Sequence, residues 1–112
     1  EKLYKNQKEY AEGWNFGPNE KDVKPVDWIL DKMISKWPNS SWELDQNSNP
    51  HEAAFLKLDI AKAESKLGWQ PVWELSHTLE KIIGWHRAWL DKEDIQAVCL
   101  AEIEEYTRDM NK

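Results

Sequence analysis

Apolar residues recur at helical spacing in three stretches of the chain. Val26, Ile29, Leu30, Met33 and Trp37 mark the first, opened by Pro25 at a favoured first helical position and closed by Pro38. Leu79, Ile82, Ile83, Trp85 or His86, and Trp89 mark the second, with Ser76 as the expected N-cap. The third runs from about Asp94 to Arg108 on Ile95, Val98, Leu100 or Ala101, Ile103 and Tyr106. A shorter amphipathic helix begins at Asp59, a good N-cap, and stops at Gly68, which supplies a left-handed residue. Residues 1 to 10 read as the tail of a helix. Period-two alternation is weaker: "EGWNFG" (12–17) and "SWELD" (41–45) read as short strands, and Phe55 to Leu58 as a brief extended segment. The expected fold is mixed α/β, mostly helical with two or three short strands.

At 112 residues the chain has room for one domain, here 1–112, that buries about two thirds of its unfolded surface. Most of the eight Trp residues are expected to form that core. The opening Glu1-Lys2-Leu3-Tyr4 reads as the middle of a helix, so we expect a fragment of a longer protein.

The formal net charge is −6, which repels phosphate backbones and argues against nucleic-acid binding. Arg87 and Arg108 are the only arginines, so a phosphorylated ligand would find its phosphate grip elsewhere. The single Cys99 permits no internal disulfide and fits a reducing, cytoplasmic setting. No apolar run is long enough to span a membrane, and no signal peptide is visible.

Complete catalytic motifs are missing. The sequence holds no Gly-x-Gly-x-x-Gly, P-loop, nucleophile elbow or zinc spacing. Tyr4 and Lys8 have the Tyr-x-x-x-Lys spacing of short-chain dehydrogenases, but a Lys-rich helix produces it by chance. His77 and His86 are not spaced as metal ligands, and no cysteine stands near them. His86, Trp85 and Trp89 read as packed helix residues, Cys99 as an inert thiol, and Glu102, Glu104 and Glu105 as a solvated helix face. His51 and Glu52, in a polar loop after Pro50, are the better functional candidates.

Three stretches, in order, resemble the C-terminal part of the extended short-chain dehydrogenase/reductases that act on sugar nucleotides, the NAD-dependent epimerase/dehydratase superfamily. They are "EGWNFGP" (12–18), "LDIAKAESKLGWQP" (58–71) and "LEKIIGWHRAWL" (79–90). Within it, "AEGWNFGPNEKDVKPVDWI", "PHEAAFLKLD" (50–59) and the terminal "GWHRAWLDKEDIQAV…EIEEY" resemble the CDP-glucose 4,6-dehydratase family. The resemblance spans nearly the whole chain.

The resemblance implies a C-terminal nucleotide-sugar-binding lobe, with the Rossmann domain and its NAD outside this chain. It implies that the Leu67-Gly68-Trp69 turn is structural and steadies the preceding loop. Relatives carry Arg-Pro-Gly-Asp there, the Asp on the nucleotide ribose and the Arg on a phosphate; this chain reads Asn49-Pro50-His51-Glu52. Glu52 therefore falls on the ribose-binding position, where a carboxylate accepts hydroxyl hydrogen bonds, with His51 beside it. Asn49 lacks the phosphate grip. The family's His-Glu-Ala-His-Tyr departs here to Ala54 and Phe55.

The implied parent is an NAD-dependent lyase, expected to be a homo-oligomer. It oxidises the sugar at C4, eliminates water across C5 and C6, and returns the hydride to C6. The implied substrate is CDP-glucose and the implied product a precursor of bacterial surface-polysaccharide deoxysugars, such as those of lipopolysaccharide O-antigen. Its catalytic residues would lie upstream, because Tyr4 and Lys8 stand too close to the "WNFG" segment to match them; the fragment alone would be inactive. Another sugar-nucleotide epimerase or dehydratase is the rival reading within the superfamily. A Trp-rich interaction module is the rival outside it.

Overall fold

The structure is a computed structural model and describes residues 1–47 and 57–112. Five α-helices are present among them: α1 (Lys2–Lys5), α2 (Gln7–Tyr10), α3 (Val26–Lys36), α4 (Leu75–Leu90) and α5 (Ile95–Met110). A 3-10 turn covers Glu20–Asp22 and a π-helical turn Ala63–Leu67. Helix α4 is central, with α3 and α5 both packed against it.

Helix α3 follows Pro25, which occupies the N-cap, and ends at Trp37 just before Pro38. Its last turn docks on α4 through polar groups. Lys36 Nζ lies 3.3 Å from Glu80 Oε1, and Arg87 Nη1 donates to the Lys36 carbonyl oxygen over 3.3 Å. The Trp37 ring sits 5.6 Å from that of His86. Helix α5 is capped by Asp94, whose Oδ1 accepts from the Ala97 N–H at 3.2 Å.

The expected cap at Ser76 is not the one used. Ser76 lies inside α4, and the N-cap position is Glu74, whose side chain caps nothing. Instead Asp22, far away in sequence, accepts from the Leu75 N–H. A free N–H at a helix start takes whichever acceptor the fold brings to it.

Strands do not form among the described residues. Residues 12–17 have no regular structure, and side chains tie them in place of a ladder. Lys62 Nζ donates to the Gly13 carbonyl over 3.1 Å, and Asn15 Nδ2 to the Asp59 carbonyl over 3.3 Å. Residues 41–45 are likewise unladdered; Trp42 ties back to α3 by donating from Nε1 to Asp31 Oδ1 at 3.0 Å. Alternation selects an extended backbone, but a strand also needs an edge to pair with. The expected extended segment at Phe55 to Leu58 lies largely outside the described residues.

The core is small: Ile60, Ala63, Leu79, Ile83 and Ala88. No Trp belongs to it, contrary to the sequence expectation; Trp42 and Trp89 are exposed and the other six are half-buried. Ile82, expected on the buried face of α4, is 53% exposed. The accessible surface is 9524 Å², whereas a compact monomer of 13.3 kDa presents about 6,500 Å². The radius of gyration is 17.5 Å, against about 13 Å for a compact domain of this length. The chain leaves about 3,000 Å² more surface uncovered than a self-sufficient domain would.

Candidate functional site

The short helix after Asp59 organises the site. Asp59 Oδ1 accepts from the Ala61 N–H at 2.9 Å, the expected N-cap. At the other end Gly68 adopts φ +64°, the expected left-handed residue. Its N–H reaches the Glu64 carbonyl at 3.1 Å, and the Trp69 N–H reaches Ala63 at 3.3 Å. Lys2 Nζ covers two of the remaining carbonyls, Lys66 at 3.3 Å and Leu67 at 3.0 Å. A cation at a helix C-terminus is favourable there.

This turn packs on the "WNFG" segment. Trp69 meets Phe16 edge-to-face, with centroids 5.0 Å apart at 82°. Lys62 pairs with Glu12 and lies over the Trp14 ring at 4.7 Å from its centroid. The Lys62 hydrogen bond and charge, with help from Lys66, hold the Glu12 carboxyl below the usual carboxylate range. The segment also runs against residues 58–60: a Cβ at Gly17 would stand in ordinary contact, 3.5 Å from both Ile60 Cγ2 and Leu58 Cβ. The two stretches, separate in sequence, are thus one packed unit.

Between them opens a cavity of about 430 Å³. Pro18, Asn19 and Glu20 form one wall and Lys57 to Ala61 the other. Lys57 pairs with Glu20, and that contact depresses the Glu20 carboxyl. The cavity therefore offers an ammonium and carboxylates, groups suited to hydroxyls and to one anionic oxygen. It begins at Lys57, five residues after Glu52 in the chain. Lys57 and Glu20 were not singled out by the sequence; a lysine among fifteen basic residues carries no signal until the fold pairs it.

The sequence-predicted site residues Glu52 and His51, with Asn49, Ala54 and Phe55, lie outside the described residues. His86 is placed among Trp rings, 5.5 Å from Trp89 and 5.6 Å from Trp37. Cys99 Sγ accepts from Trp85 Nε1 at 3.3 Å, a packed thiol. Tyr4 and Lys8 fall on different single-turn helices broken at Asn6 and make no dyad. Glu105, read as solvated, is not: it is half-buried between Lys81 and His77.

No protein-family model matches the chain. Over 107 residues, 95% of its length, it is 46% identical to a curated protein of Salmonella typhimurium. That relative is CDP-glucose 4,6-dehydratase. The similarity bears out the resemblance read from residues 12–18, 50–59 and 79–106. The chain spans about 30% of the length of CDP-glucose 4,6-dehydratase. No helix among the described residues is long and apolar enough to cross a membrane.

Proposed function

We propose that this chain is the nucleotide-sugar-binding portion of a CDP-glucose 4,6-dehydratase. The observation that carries this is 46% identity across 95% of the chain. The parent would convert CDP-glucose to CDP-4-keto-6-deoxyglucose, a net loss of water, as a soluble cytoplasmic homo-oligomer of the extended short-chain dehydrogenase/reductases.

The uncovered surface supports the reading: a substrate lobe presses its apolar faces on a partner domain. NAD does not fit this chain, which has no Gly-rich turn to cradle a pyrophosphate, so the cofactor belongs to another part of the parent. Glu52 would accept hydrogen bonds from the ribose hydroxyls, with His51 beside it. The cavity from Lys57 onward would continue that surface. The Asp59–Gly68 helix would hold it in place.

The test is a dehydratase assay on the full-length protein with CDP-, UDP-, GDP- and dTDP-glucose, this chain alone serving as control. Turnover of CDP-glucose with a silent fragment is expected. Turnover of another nucleotide sugar alone would move the assignment to a sister enzyme, and no turnover would leave an interaction module. In the same assay Glu52→Ala should raise KM more than it lowers kcat, because uniform binding is lost. An unchanged KM would remove Glu52 from the site.

A further inference from the structure

A second cluster lies away from the cavity, where α5 crosses α4. His77 on α4 meets Glu105 and Asp109, one turn apart on α5, and one donor atom from each lies within 4.8 Å of the others. We propose that these three residues bind one divalent transition-metal cation of the zinc class.

The His77 ring points its Nε2 into the cluster. That atom is out of solvent and has no hydrogen-bond partner among the described residues. It stands 3.4 Å from Glu105 Oε1, close but outside hydrogen-bond geometry. A buried nitrogen left in this state is costly, and a cation would satisfy it. Bonds of 2.0–2.1 Å to N and O give a tetrahedron whose ligands are about 3.3 Å apart, and the His77 Nε2–Glu105 Oε1 separation of 3.4 Å already matches it. Asp109 then needs only a side-chain adjustment, and water completes the set.

The surroundings resemble the supporting shell of a metal site. Trp73 packs edge-on against the His77 ring at 4.9 Å and fixes it, while its Nε1 donates to Asp109 Oδ2 at 3.0 Å. Two ammonium groups occupy the carboxylates in the metal-free cluster, Lys81 on Glu105 Oε2 and Lys112 on Asp109 Oδ1. Lys112 is 72% exposed and free to leave. Lys81 pairs with Oε2, the other oxygen of Glu105, so a cation bound through Oε1 need not evict it. An imidazole donor favours zinc, copper or nickel over magnesium or calcium.

The test is zinc titration of the full-length protein after dialysis against a chelator, by calorimetry, with cobalt absorption reporting tetrahedral geometry. One equivalent should bind that His77→Ala and Asp109→Asn each weaken by about tenfold or more. Thermal scans without metal show whether each variant is folded. Two results overturn the proposal: no zinc bound by the parent, or a folded His77→Ala or Asp109→Asn variant binding as well as the parent.

Discussion

Replacing Gly68 by Ala isolates the value of the left-handed turn. A Cβ at Gly68 meets nothing within 4 Å, so no clash contributes. What remains is φ +64°, which costs an L-residue about 1–2 kcal/mol. Ala also restricts the unfolded chain, which returns about 0.5 kcal/mol. The net loss is about 1 kcal/mol, felt where the turn closes. Gly84 provides the control: its Cβ also meets nothing, but it sits mid-helix in α4 with no positive φ. There Gly→Ala should stabilise by about 1 kcal/mol. The same chemical change should thus act with opposite sign at the two sites. Native-state hydrogen exchange on the full-length protein reads both. With Gly68→Ala the Trp69 amide, bonded to Ala63, should exchange about fivefold faster; with Gly84→Ala the α4 amides should exchange about fivefold more slowly. Gly68→Asn should cost less than Gly68→Ala, because Asn tolerates this conformation. An unchanged or slowed Trp69 amide in Gly68→Ala would refute the requirement for a left-handed residue.

Asp22→Ala should destabilise α4 by about 1 kcal/mol by removing its cap from a distance, whereas Ser76→Ala should be near neutral; α4 exchange rates compare the two. Leu79→Ala, at a site 7% exposed, should cost about 3 kcal/mol in denaturant unfolding, and Ile82→Ala under about 1 kcal/mol, its side chain being half in solvent. Because Lys62 depresses the Glu12 carboxyl, the folded group binds its proton less readily than the unfolded one. The ion pair therefore contributes fully above the ordinary carboxylate range and is lost as pH falls below it. Protection of the residue 12–17 amides should drop on acidification from about pH 6 to pH 3, and Glu12→Gln should flatten that drop.

Helices were legible because their determinants are local. Asp59 and Gly68 bracket their helix as read, α3 stops at Trp37 before Pro38, and α5 starts after Asp94. The strands at 12–17 and 41–45 were misread because alternation reports an extended backbone and says nothing of a partner edge. The Asp22 cap and the His77–Glu105 contact were invisible for the same reason: each joins residues far apart in sequence. Ser76 looked like the cap because a hydroxyl residue ahead of an apolar helical face is a common N-cap.

The tryptophans carry the same lesson one level higher. Helical spacing puts Trp85 and Trp89 on α4 with Ile82, but spacing fixes a face and not what covers it. On α4, Leu79, Ile83 and Ala88 belong to the core. Ile82 and Trp89 remain more than half exposed, and on α5 so do Leu100, Ile103 and Met110. Exposed apolar residues in this number are what a contact surface would require, a second demand on the sequence beside that of the core. Eight tryptophans in 112 residues, none of them buried, are best explained by that second demand on the sequence.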